Sequence, residues 1–230
     1  MRENFIRHLN QVQEQVLVMA EMVRQAVSAS LDCLERGDLA LARRIYQNDQ
    51  MINEKRYAIE NEVITLIATQ QPMASDLRLL AAVLEINTEL ERMGDYGKGI
   101  AHIALMIGQP PDPEQMAALR QMSGLGLEML DRALQAFIDR DDQVARRIPQ
   151  EDDQVDRLYN QFVHQQIQRM IRDPQEIDHC NYLTWAAHNL ERLSDRVTNI
   201  CERVVFVVTA QIIELDIQNN SGPSVDTSYA

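Results

Sequence analysis

Aromatic residues are scarce: one Trp, four Phe and six Tyr, only 5% of 230 residues. The apolar mass comes instead from Ala, Leu, Ile, Val and Met, and with 45% hydrophobic residues the chain can bury a full core. Eight Gly and seven Pro leave few places to turn. Together these shortages favour long helices over sheets. Cysteine is also sparse, and Cys33, Cys180 and Cys201 are odd in number and far apart. That excludes a disulfide frame or a CxxC metal knuckle and reads as small core residues in a reducing compartment. No apolar run is long enough to span a bilayer: VVFVVTAQII, from Val204, covers about ten residues where about 20 are needed. The N-terminus, MRENFIRHLNQ, has no charged-then-apolar signal pattern, so a cytoplasmic protein without direct membrane insertion is expected. Positive charge is short as well, with 22 Lys and Arg against 35 Asp and Glu, a net charge of −13. Nucleic acid is therefore excluded as a partner, because a phosphate backbone requires a concentrated basic footprint. Lys55 and Lys98 are the only lysines. An arginine-dominated set suits fixed ion pairs, although codon bias explains it equally well.

What is present is a repeat. The stretch NTELERMGDYGKGIA at 87–101 returns as AHNLERLSDRVTNIC at 187–201. Ala42-Arg43-Arg44-Ile45 returns as Ala145-Arg146-Arg147-Ile148, and Asp49 with Asn53 falls opposite Asp152 with Asp156 at an offset of 103. Breaks at Gly37-Asp38, Gln71-Pro72, 108–113, Asp141-Asp142 and Asp173-Pro174 divide the chain into six helix-length segments. Within them apolar residues recur at steps of three and four, as in Ile86, Leu90, Met93, Gly97, Ile100, Ala101 and Ala104. The expected fold is all-α: two tandem three-helix bundles related by internal duplication, at 1–108 and 113–215, followed by a disordered polar tail at 216–230.

The duplicated motif carries an acidic pair. Residues four apart share a helical face, so Glu91 and Asp95 lie side by side, as do Glu191 and Asp195. Like charges there repel, by a few tenths of a kcal/mol on an isolated helix and by more beside an apolar stripe. Two sources of relief stand open. Arg92 and Arg192 precede the aspartates by three residues and can pair with them. Alternatively, clustered oxygen donors, with Asn199 a turn beyond Asp195 and Asn87 a turn before Glu91, suit a hard or borderline cation such as Mg, Mn, Ca or Fe.

A metal-dependent carboxylate-bundle enzyme is the rival reading. Di-iron chemistry in a bundle uses two Glu-x-x-His motifs, and Glu176-x-x-His179 is the only match, since His188 precedes Glu191 in the reverse order. No nucleophile elbow, phosphate loop or dinucleotide fingerprint occurs. Gly94-Asp95-Tyr96-Gly97-Lys98-Gly99 is loop-like in composition, yet its twin at 194–199 reads as helix, so these glycines are expected to permit close helix packing. A non-enzymatic protein is expected.

The two Leu-Glu-Arg-x-x-Asp motifs, the segment Pro72-Met73-Ala74-Ser75-Asp76-Leu77-Arg78 and the duplicated layout together resemble the PhoU family of phosphate-transport regulatory proteins. The resemblance covers nearly all of the chain before its tail. It implies a protein that dampens phosphate uptake and phosphate-responsive gene expression. It further implies an adaptor between the ATP-binding subunit of the phosphate ABC transporter and a membrane-bound sensor histidine kinase, with a homodimer as the expected assembly. Members bind metal ions through Glu/Asp-x-x-x-Asp motifs, which nominates Glu91, Asp95, Glu191 and Asp195 as ligands for a divalent or trivalent ion, Mg, Mn or Fe. Gly99 stands where the second copy has Asn199, so the two halves need not hold ions alike.

Overall fold

A computed structural model describes residues 2–215. The expected tail at 216–230 lies outside the described residues. Helix α1 (Arg2–Arg36) runs for 35 residues, and Leu9, Val12, Val16, Met19, Val23, Val27, Leu31 and Leu34 form its buried stripe at steps of three and four. Gly37, at φ +64°, ends it in the left-handed region, where glycine carries no Cβ penalty. Asp38 then caps α2 (Leu39–Gln70), its carboxylate accepting from the Ala40 and Leu41 amides. Gln71 and Pro72 stop that helix, and α3 (Ser75–Ile107) follows.

The second half repeats the plan with one interruption. Helix α4 (Pro113–Asp139) starts with proline at its first position and ends at Arg140, again left-handed at φ +55°. Asp141 is the next cap, accepting from the Gln143 and Val144 amides just as Asp38 does. Where α2 runs on without a break, the second half makes only a short α5 (Asp142–Ala145), some turns, and then α6 (Pro149–Arg172). Pro149 falls opposite Tyr46 at the 103-residue offset. A proline cannot continue the helical hydrogen bonding there and serves instead as the first residue of a new helix. The expected single helix in this segment is thus two. A 3-10 turn (Pro174–Glu176) leads into α7 (Ile177–Thr209).

Helices α1 and α2 pack on α3, while α4 and α6 pack on α7, giving two three-helix bundles. The central helices α3 and α7 join them. These two run antiparallel, for Glu85 meets Arg203, Glu89 meets Arg196, and Gly99 meets Asn189. Arg196 also donates to the Tyr96 hydroxyl at 3.2 Å. At 33 residues each, α3 and α7 extend for about 50 Å. Both are buried on more than one side, which accounts for Leu79, Leu80, Val83 and Ile86 being fully enclosed in sequence-adjacent turns. The glycines of the 94–99 stretch sit inside α3: a Cβ on Gly94 would meet Ile52 at 3.0 Å, and one on Gly97 would meet Val27 at 3.2 Å. All three cysteines are free and buried; burial, reinforced by Asp38, raises the Cys33 thiol to about 11. No helix among the described residues is long and apolar enough to cross a membrane.

Candidate functional site

The two Leu-Glu-Arg-x-x-Asp motifs sit near the crossing of α3 and α7. From there their carboxylates turn outward, toward α2 in the first repeat and toward α6 in the second. The spacing of four residues does what helical geometry requires and sets each Glu and Asp on one face.

In the first repeat these acids already have cations. Arg56 of α2 lies 3.1 Å from Glu91 Oε1. Lys98 Nζ lies 2.7 Å from Asp49 Oδ2, on α2, and 3.9 Å from Asp95 Oδ1. Asp49 is 7% exposed and also accepts from Asn53 Nδ2 at 3.3 Å. The hydrogen bond to Asp49 holds the Lys98 ammonium above its ordinary range. Asp95 is raised by burial and by Asp49 and Glu91, with Lys98 and Arg56 opposing. The pairing of Arg92 with Asp95 that the spacing allows does not form: Arg92 turns to Glu89, 3.9 Å away, and Asp95 lies 3.9 Å from Lys98 instead.

The second repeat is built differently. Arg192 pairs with Asp195 at 3.2 Å, as its spacing predicts. Opposite Arg56 stands Tyr159, and opposite Lys98 stands Thr198. Among the described residues Glu191 has no arginine paired to it from the neighbouring helix. Its Oε2 is buried without a hydrogen bond, although His188 Nδ1 lies 3.4 Å off in a geometry that becomes an ion pair when the ring is protonated. Burial, then Asp195 and Asp156, push its carboxyl up to about 7 against the opposing pull of Arg192. Burial and the Glu191 charge also raise the Tyr159 phenol. Thr198, on the same helical face, is fully buried with its hydroxyl unbonded. Asn199 lies half-buried a turn beyond Asp195. Its counterpart Gly99 faces Asn189 of α7, which puts this register at the edge of the carboxylate face.

Among the described residues no three His, Cys, Asp or Glu side chains already form a group able to hold a metal ion. The donor chemistry of the two repeats nevertheless differs. An uncompensated buried carboxylate oxygen beside two further acids fits a cation, whereas Glu91 bonded to a guanidinium, and Asp95 beside an ammonium that is bonded to Asp49, already have positive charge at hand. Sequence reasoning missed Arg56 and Lys98 as members of the site. The available signal was their replacement by Tyr159 and Thr198 at the repeat offsets.

An all-α body duplicated about two central helices, each bearing an acidic face, defines a class of tandem three-helix bundles. The chain belongs to the PhoU family: the PhoU domain model matches it twice, at residues 16–104 and 119–204. The phosphate-specific transport system accessory protein PhoU of Escherichia coli is 32% identical, over 98% of this chain and 92% of its own. A PhoU homolog of Xylella fastidiosa is also 32% identical, over 88% and 84%. The crystal structure of the phosphate transport system regulatory protein PhoU from Streptococcus pneumoniae superposes with a TM-score of 0.82 at 32% identity. That match covers 91% of this chain and 99% of that one. These names are of accessory and regulatory proteins, in agreement with the expectation of a non-enzymatic role.

Proposed function

We propose that this protein is a negative regulator of phosphate uptake and of phosphate-starvation signalling. It acts as a cytoplasmic adaptor between the ATP-binding subunit of the phosphate ABC transporter and a sensor histidine kinase. The observation that carries this reading is the nearly full-length match, in sequence and in fold, to phosphate transport accessory and regulatory proteins. The architecture supports it. A duplicated body presents two acidic faces that differ in charge chemistry, so it can engage two different partners at once. A net charge of −13 steers it toward basic surfaces on those partners.

Under this reading a divalent or trivalent ion, Mg, Mn or Fe, binds in the second repeat at Glu191 and Asp195, with Asn199 at the margin. The bound ion supplies positive charge that relieves the crowded carboxylates of α6 and α7. Glu191 offers its buried oxygen, and Asp195 exchanges Arg192 for the ion. The test is genetic. Deleting the gene should leave phosphate-starvation genes active in rich phosphate, and overproduction should lower phosphate uptake. Normal repression in the deletion strain refutes the regulatory role.

A further inference from the structure

We infer that Lys98 is the built-in cation of the first repeat: its ammonium, bridging Asp49 of α2 and Asp95 of α3, does there what an added ion would do, so the first repeat takes up no metal. This rests on the reading that such carboxylate faces hold ions, and it departs from the symmetry that the duplicated motif suggests.

Three observations support it. First, the ammonium is bonded where a cation is wanted. It sits 2.7 Å from a carboxylate that is only 7% exposed, 3.9 Å from Asp95, and 5.4 Å from the centre of the Tyr46 ring, whose face attracts positive charge. Secondly, the position is shaped for a lysine. Lys98 lines a cleft of about 270 Å³ whose wall is apolar at Met22, Ala26, Ile45 and Ile52 and polar at Asp49, which suits a four-carbon chain with a charged tip. Thirdly, the second repeat keeps both acids, as Asp152 and Asp195, but lacks the groups that answer them in the first, since Thr198, Tyr159 and Pro149 replace Lys98, Arg56 and Tyr46. Arg56 completes the arrangement at Glu91, so each carboxylate of the pair has a fixed cation beside it, Arg56 at 3.1 Å from Glu91 and Lys98 at 3.9 Å from Asp95. An incoming divalent ion would also have to displace or repel two fixed positive charges in a partly desolvated place.

The experiment uses the full chain and two readouts. Uptake of Mn2+ is measured by equilibrium dialysis and elemental analysis. The variant Glu91→Gln with Asp95→Asn should take up as much as the unmodified protein, while Glu191→Gln with Asp195→Asn should lose it. In ion-free buffer Lys98→Met should lower the melting temperature by about 3 to 6 °C. Lys98→Arg should recover most of that loss. Adding Asp49→Asn to Lys98→Met should lower melting no further, because the two residues act as a pair. Reduced uptake in the Glu91 and Asp95 variant overturns the inference, and so does unchanged melting of Lys98→Met. If the unmodified protein takes up no Mn2+, the ion proposed for the second repeat falls; the assignment of Lys98 then stands or falls on melting alone. If Lys98→Met does not fold, the uptake measurement decides.

Discussion

The two halves of this molecule share a backbone plan and a carboxylate motif but solve the same electrostatic problem differently. The first brings a guanidinium and an ammonium from positions 35 and 49 residues away in sequence relation to their acids. The second leaves Glu191 without such a partner and raises its carboxyl to about 7. A duplicated motif therefore does not guarantee a duplicated chemistry. The residues around the motif decide whether the charge is answered from within or from outside.

This comparison can be tested, beginning with the largest effect. The core of the second half contains Phe162, fully buried, where the first has Ile59 at the 103-residue offset. Phe162→Ala should cost about 3–5 kcal/mol and Ile59→Ala about 2–4, measured by urea unfolding; equal losses would show that the aromatic ring fills no larger a share of its core.

Asp49→Ala should come next. It strands the Lys98 ammonium in its cleft, and because Lys98 keeps 31% of its side chain exposed the loss should be about 2 kcal/mol rather than that of a fully buried pair. A loss near zero would mean that solvent already satisfies the ammonium.

For Glu191 the prediction depends on pH. Its folded-state value, about 7, lies above the ordinary 4.5, so the folded protein retains a proton that the unfolded chain releases. The contribution is complete below about 4.5 and is lost as pH rises through about 7. The groups that act on it are Asp195, Asp156, Arg192 and His188, all within the second repeat. In ion-free buffer at pH 8, Glu191→Gln should be more stable than the unmodified protein by about 1–2 kcal/mol, and at pH 4 the two should melt alike. A variant less stable at pH 8 would show that the carboxylate is satisfied. Glu91→Gln should show no such gain, since it breaks the 3.1 Å bond from Arg56.

The smallest effect concerns the helix ends. Gly37 and Arg140 occupy the same left-handed position before the Asp38 and Asp141 caps. Arg140→Gly should stabilise by about 0.5 kcal/mol, and Gly37→Ala should destabilise by about 1, in thermal melts. Opposite signs at equivalent positions would confirm that the turn is common and the strain is not.

Much of this architecture was legible beforehand. The breaks read at Gly37-Asp38, Gln71-Pro72, Asp141-Asp142 and Asp173-Pro174 all fall at helix ends, because caps and prolines act locally. The duplication was equally plain. The split at Pro149 is not legible in the Ala-Arg-Arg-Ile repeat, which ends one residue before the proline that removes a helical hydrogen bond and starts a new helix. The glycine-rich stretch looked like a loop in composition, yet Ile52, Val27 and Asn189 press on those glycines within a helix, and this crowding depends on residues distant in sequence.

The site was legible only in its local half. Helical spacing placed Glu91 beside Asp95 and Glu191 beside Asp195. It could not choose between Glu89 and Asp95 for Arg92, because both lie three residues away. The bonds from Arg56 to Glu91 and from Lys98 to Asp49 cross between helices, and one-dimensional periodicity contains no record of them.

The antiparallel seam of α3 and α7 has a thermodynamic consequence. Arg196 holds both Glu89 and the Tyr96 hydroxyl across it, and each central helix supplies core to its own bundle while resting on the other. Neither bundle can come apart without stripping a wall from its neighbour. Calorimetry should therefore record one transition whose van't Hoff and measured enthalpies agree, so that the duplicated halves share a single fate on heating.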